Sequence, residues 1–263
     1  MRRVLITGAS SGIGKEFATS FGSRGFDLVL TGRREEELSS LKERLIVDYH
    51  IKADYVCADL QKGEAQKIYD FCKEKRIEVG VLVNNAGFGD YGLFINSDIE
   101  KQDQMIDLNC KALVDLTYLF LQDMKNSGYG KIINVGSIAS FMPGPYMSVY
   151  YATKAFVLSF SMALREEVKD LNIDVVTLCP GPTKTSFAKN ASASNAKVFD
   201  KLVTRDARKV AEYGYKLFSQ NIPYGVEGLI NKAGAFFGRH LPLSWSAKAV
   251  GFVQSKSRKK EKE

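Results

Sequence analysis

Residues 3–14 read Arg3-Val4-Leu5-Ile6-Thr7-Gly8-Ala9-Ser10-Ser11-Gly12-Ile13-Gly14. An apolar run ends in Thr-Gly, and glycines recur at positions 8, 12 and 14 just as a helical pattern begins. This is a strand passing through a tight turn into a helix. Gly8 permits the turn, Gly12 lets a phosphate group approach the backbone, and Gly14 lets helix and strand pack closely. The exposed N–H groups of Ser10, Ser11, Gly12 and Ile13, with the positive end of the helix dipole, form an anion site. The bland alternative is a glycine-rich turn without a ligand. The strand before and the helix after favour the phosphate loop.

Working outward, the same alternation continues. Strands are expected at Val4–Thr7, Leu28–Thr31, Tyr55–Ala58, Val79–Val83, Lys131–Val135, Asp174–Cys179 and Gly225–Leu229. Helices are expected at Gly12–Ser23, Glu35–Tyr49, Lys62–Lys75, Lys101–Asn126, Ser148–Leu171 and Arg205–Ser219, the last capped by Thr204. Continuous Val/Ile/Leu strands between helices imply a parallel sheet covered on both faces. Right-handed crossovers make it doubly wound. The expected fold is a three-layer, Rossmann-type α/β domain over residues 1–230, with a C-terminal extension over residues 231–263. The 263-residue length suits one such domain. The Ala/Ser/Asn/Lys-rich Ser186–Lys201 reads as a mobile lid, and the chain after Ser255 as disordered.

Composition excludes other classes. No apolar run of about 18 residues offers a membrane-spanning helix. With glycine already at position 8, no signal-peptide stretch fits, so the cytoplasm is expected. Cys57, Cys72, Cys110 and Cys179 form no metal or redox motif, and His50 and His240 sit in none either. No metal site is expected. The net charge is +7, but Arg239–Glu263 holds seven Lys and Arg against two Glu. The basic balance is therefore a property of the tail, and nucleic-acid binding is not expected.

Nucleotide choice is read at the end of the second strand, Leu30-Thr31-Gly32-Arg33-Arg34. An NAD-binding chain places an acid there to hold a ribose hydroxyl. Arginines instead suit a 2′-phosphate, which a guanidinium binds in a bidentate fashion. Arg33 is the first choice and Arg34 the second, so NADP(H) is favoured. The bland alternative is that both serve only the start of the next helix.

Tyr150 and Lys154 lie four apart on an expected helix and share a face. A free tyrosine, with a pKa of about 10, is a poor base near neutrality. A neighbouring ammonium, helped by a nicotinamide's positive charge, should lower it. Ser137 at a strand end can hold the same substrate oxygen. Tyr151 lacks the spacing to Lys154 and is expected to pack or to line the pocket. A Tyr-x-x-x-Lys pair alone is commonly a surface pair.

Taken together, Thr7-Gly8-x-x-x-Gly12-x-Gly14, Asp59-Leu60, Asn84-Asn85-Ala86-Gly87, Asn109, Ser137, Tyr150, Lys154 and Pro180-Gly181 resemble the short-chain dehydrogenase/reductase family over nearly the whole chain. The resemblance implies an oxidoreductase moving a hydride between nicotinamide and a carbonyl or alcohol, and a homodimer or homotetramer. Asp59 and Leu60 would lie along the adenine, and Asn85 and Gly87 beside the adenosine ribose. Asn109 would bend the long helix and hold a water that relays protons through Lys154. Lys154 would also bind the nicotinamide ribose. Pro180, Gly181, Thr183 and Thr185 would close over the nicotinamide. Asp59 also reads as a helix N-cap, Asn84 as a tie between strands, and Asn109 as a solvent-facing helix residue.

Phe88, Phe141, Met142, Tyr146, Met147 and Phe187 bound the expected pocket and suggest an apolar substrate. The extension resembles that of a bacterial subgroup of short-chain reductases, and distantly those of acyl-chain and steroid reductases. Its apolar residues beside a Lys/Arg run can lie on a membrane surface, dock on a partner subunit or cover the pocket. A cofactor-binding regulatory protein without turnover is the alternative from another class.

Overall fold

The structure, a computed structural model, describes residues 2–184 and 205–259. Strands and helices alternate as β1 (Arg3–Thr7), α1 (Gly12–Gly22), β2 (Leu28–Gly32), α2 (Glu35–Tyr49), β3 (Ala53–Cys57), α3 (Ala65–Glu74) and β4 (Val79–Asn84). Then follow α4 (Ile99–Ile106), a π-helical turn (Asp107–Lys111), α5 (Ala112–Ser127), β5 (Gly130–Val135), α6 (Ser148–Glu167) and β6 (Ile173–Cys179). β7 (Thr183–Lys184) pairs with β8 (Arg205–Asp206) apart from the main sheet. The chain continues as α7 (Ala207–Ser219), β9 (Tyr224–Val226), α8 (Leu229–His240) and α9 (Leu243–Lys259).

The main sheet runs β3-β2-β1-β4-β5-β6-β9, all parallel. Strand order reverses between β1 and β4. A crevice therefore opens beyond their carboxyl ends, where one helix packs on each side. Alternation along each strand builds two cores. Val4 and Ile6 meet Phe17, Phe21, Leu38, Val210 and Leu217 from α1, α2 and α7. Leu5 meets Ile68, Leu116, Phe120, Met124 and Leu164 from α3, α5 and α6. Each such fully buried side chain contributes about 1.5–3 kcal/mol. The sheet is thereby a rigid base for the loops at its carboxyl end.

One alternative is removed and three local expectations are corrected. The helix expected over Lys101–Asn126 contains a π turn around buried Asn109, so Asn109 does not face solvent. The helix expected from Arg205 starts at Ala207, because Asp206 caps it by accepting from Arg208 N at 2.8 Å. Arg205 N is meanwhile spent on Pro182 O at 2.8 Å, and Thr204 lies outside the described residues. The last strand is Tyr224–Val226, since Gly228 at φ +88° turns the chain into α8. Finally, α9 continues through Lys259 where disorder was expected after Ser255. Buried Ser246 and half-buried Gly251 and Gln254 dock the helix on the body of the protein. The expected lid Ser186–Lys201 lies outside the described residues.

Candidate active site

A cavity of about 490 Å³ lies at the carboxyl end of the sheet. It is lined by Gly8, Ser10, Ser11, Gly12 and Ile13 after β1, and by Arg33 and Arg34 after β2. Asp59 and Leu60 after β3, and Asn85 and Gly87 after β4, line it too. Ser137, Tyr150, Lys154, Pro180, Gly181 and Thr183 complete the expected set. Gly14 and Asn109 are not in the wall but support it, and Thr185 lies outside the described residues.

The glycine loop is held by a small polar cluster. Thr7 Oγ1 accepts from Asn85 N and Ala86 N, both at 2.9 Å, and donates to Val83 O at 3.3 Å. The Asn85 side chain donates to Thr7 O at 2.8 Å, so it braces the loop. Gly8 and Gly12 adopt φ of +64° and +55°, the left-handed region that favours glycine. A Cβ on Gly14 would collide with the Gly8 carbonyl and the Asn85 amide. These backbone needs account for all three glycines.

The two arginines differ. Arg33 Nη1 donates to Gln61 Oε1 at 2.7 Å. Arg34 donates to Ser10 O at 3.1 Å and pairs with Glu37 at 3.1 Å. Arg33 thus keeps its charge against a neutral partner, while Arg34 spends part of its own on a carboxylate. Asp59 fulfils the capping reading, accepting from Gln61 N at 3.1 Å, while it also lines the cavity. Asn84 ties β4 to β5 through Asn134 Oδ1 at 2.9 Å.

At the other end, Ser137 and Tyr150 share the cavity wall, and the Ser137 hydroxyl favours the ionised form of the phenol. Lys154 Nζ lies 5.9 Å from the Tyr150 ring centroid and donates to Val135 O at 2.9 Å. Asn109 donates to Phe88 O at 2.9 Å and to Thr153 Oγ1 at 3.0 Å. Thr153 Oγ1 in turn donates to Tyr150 O at 2.7 Å. The π turn is thereby fastened to the first turn of α6. A Cβ on Gly87 would come 2.9 Å from Asn109 Oδ1 and 3.4 Å from Lys154 Nζ, so a side chain there would crowd both.

Burial sets the electrostatics of the site. Burial pushes the Tyr150 phenol up to about 12, only partly opposed by the Ser137 hydroxyl. Burial also brings Lys154 down to about 8. The ammonium reaches Val135 O, not the phenol oxygen, so it does not bring the phenol into the neutral range unaided. Burial lifts Cys179 to about 12 and half-buried Cys110 to about 11, which makes both inert thiols.

Other residues belong to the site that the sequence did not mark. Ser140 Oγ accepts from Ser137 N at 3.2 Å and donates to Lys154 O at 2.7 Å, locking serine and lysine together. Its position three after Ser137 is capping-box spacing, a signal the sequence does carry. Gln254 of α9 also lines the cavity, donating to Tyr151 OH at 3.0 Å and accepting from Tyr91 OH at 2.9 Å through its backbone carbonyl. Phe88 and Met147 line the cavity as expected. Phe141 and Met142 instead pack beneath α8, and Tyr146 stacks on Tyr91. Phe187 lies outside the described residues.

Residues 2–196 match the family model described as short chain dehydrogenase. The chain belongs to the short-chain dehydrogenase family. Sulfoacetaldehyde reductase 2 of Chromohalobacter salexigens is 38% identical over 188 residues, 70% of this chain and 73% of that protein. The human 17-beta-hydroxysteroid dehydrogenase type 3 is 35% identical over 190 residues, 70% of this chain and 60% of that protein. Among solved structures, the short-chain dehydrogenase from Sphingobium yanoikuyae in complex with NADPH has a TM-score of 0.81 and 31% identity, covering 90% of this chain and 93% of that one. This short-chain dehydrogenase family member is therefore an oxidoreductase on a doubly wound sheet. Among the described residues no helix is long and apolar enough to cross a membrane, and no cluster could hold a metal.

Proposed function

We propose that the protein is an NADP(H)-dependent reductase of apolar carbonyl compounds, working through Ser137, Tyr150 and Lys154. One observation carries this reading: Ser137, Tyr150 and Lys154 line the same cavity as the glycine loop. The residues fit a dinucleotide, since Gly8, Gly12 and Gly87 line the cavity with backbone alone, the second at the N-terminus of α1. NADPH, when bound, supplies the hydride.

The chain's own groups do the rest. The glycine loop and the N-terminus of α1 hold the pyrophosphate. Arg33, with Arg34, holds the 2′-phosphate. Asp59 and Leu60 flank the adenine, and Asn85 and Gly87 the adenosine ribose. Lys154 would bind the nicotinamide ribose, with Pro180, Gly181 and Thr183 around the carboxamide. Ser137 holds the substrate oxygen and Tyr150 protonates it. A phenol lifted to about 12 stays protonated at neutral pH and so is poised as the acid for reduction. Oxidation of an alcohol needs that phenol lowered, and the positive charge of oxidised nicotinamide works in that direction. Lys154 and a water beside Asn109 return the proton.

Phe88, Tyr91, Leu108, Met147 and Tyr151 make the substrate end apolar and aromatic. Exposed Tyr118 on α5 and Phe156 on α6, with Phe156 stacked on Phe160, support a dimer or tetramer built on these helices. The test is NADPH oxidation over ketones, aldehydes, β-ketoacyl thioesters and ketosteroids, with Tyr150→Phe as control. Turnover by the parent and none by the variant is expected. NADPH binding without oxidation of any compound would overturn the reading in favour of a regulatory protein.

A further inference from the structure

Two fifths of the exposed large apolar side chains among the described residues belong to α8 and α9. The inner faces of these helices are occupied. In α8, Ala235 and Gly238 are buried, with Gly238 set against Met142. In α9, Ser246 is buried, Gly251 lies against Pro145, and Gln254 bonds Tyr151. The outer faces are a different matter. On α8, Leu229, Ala233, Phe236 and Phe237 recur at helical spacing and stand in solvent, with Leu229 82% exposed. On α9, Leu243 and Trp245 are 72% and 65% exposed.

Charge decides what such faces fit. From Leu229 onward the chain carries Lys232, Arg239, Lys248, Lys256, Arg258, Lys259, Lys260 and Lys262. The only acids there are Glu261 and Glu263. A second copy would bring the same cations against these faces and be repelled. Apolar helix faces bordered by cations, with a tryptophan among them, match the headgroup boundary of an anionic bilayer. We propose that α8 and α9 dock in the plane of an anionic phospholipid surface. Because Gln254 on the inner face of α9 lines the cavity, docking sets the substrate end beside the lipid. An amphiphilic substrate would then reach the site without crossing bulk water, which rests on the reading above; the docking itself does not.

The experiment is co-sedimentation of the full-length protein with vesicles of phosphatidylcholine alone, or of phosphatidylcholine with phosphatidylglycerol. Binding is expected only to the second, falling as salt is raised. Replacing both aromatics, Phe236→Ser with Phe237→Ser, should lower partition by about tenfold or more. Lys232→Gln with Arg239→Gln and Lys248→Gln should weaken binding while leaving the thermal melt unchanged, which guards against misfolding in the first variant. Light scattering is run alongside. Wild-type protein that ignores anionic vesicles overturns the proposal, as does binding that both variants retain. A loss of oligomer in the Phe236/Phe237 variant would assign the face to a second copy instead. These readouts need no turnover, so failure of docking and failure of the catalytic reading are separable.

Discussion

Removing the Arg33 guanidinium tests how this protein would choose its nucleotide. Arg33 is exposed and its hydrogen-bond partner, Gln61 Oε1 at 2.7 Å, is neutral. Arg34 pairs with Glu37 at 3.1 Å and holds Ser10 O in the glycine loop. A charge-assisted hydrogen bond is worth about 1.5–3 kcal/mol, or about 10- to 150-fold in binding. Exposure and salt screening favour the low end, so Arg33→Ala should weaken NADPH by about tenfold. NADH, lacking the 2′-phosphate, should be used as before. Arg34→Ala should weaken both nucleotides, because it loosens the loop they share, and NADPH somewhat more, through the smaller part of the phosphate that Arg34 holds. The assay is kcat/KM for NADPH and NADH in parallel, with the Kd of NADPH by fluorescence. Equal losses for the two nucleotides in Arg33→Ala would refute the assignment of the phosphate to that side chain.

Three further outcomes are expected. Gln254→Leu should raise KM for the carbonyl substrate and leave the Kd of NADPH unchanged; the reverse pattern in steady-state and binding assays would move Gln254 out of the substrate end. Thr7→Val strands the N–H groups of Asn85 and Ala86, at about 1–3 kcal/mol, and should lower Tm by about 2–4 °C per kcal/mol in a chain of this size; an unchanged melt would contradict that. Burial holds Lys154 at about 8, so below that pH the folded protein bears the full cost of the buried charge. Between about 8 and about 10.4 the unfolded chain binds the proton more tightly, so stability gains with pH, by at most about 1.4 kcal/mol per unit. Urea melts of wild type against Lys154→Met should show that gain only in wild type, and parallel curves would remove the shift.

What the sequence made legible is what is local. The three glycines, the arginines after β2 and the four-residue step from Tyr150 to Lys154 each lie within one turn or one strand end. The sheet followed from apolar runs that only a doubly covered strand tolerates. What stayed hidden depends on distant packing. Gln254 reaches Tyr151 across 103 positions of the chain, in a stretch whose composition suggests only a basic tail. The phenol's high pKa comes from burial beneath several elements, which no spacing reveals. Phe141 and Met142 were assigned to the pocket because they follow Ser137, yet α8 covers them. The start of α7 is set by Asp206, which caps the helix while Arg205 N is engaged by Pro182 O.

The most direct measurement follows the hydride itself. Protein, a reducible ketone and NADPH carrying deuterium in place of both hydrogens at the nicotinamide C4 are combined, and the product is examined by mass spectrometry. The account predicts one deuterium on the new carbinol carbon with wild type, and none with Tyr150→Phe although that variant still binds NADPH. Unlabelled alcohol from wild type, or labelled alcohol at the parental rate from Tyr150→Phe, would contradict it.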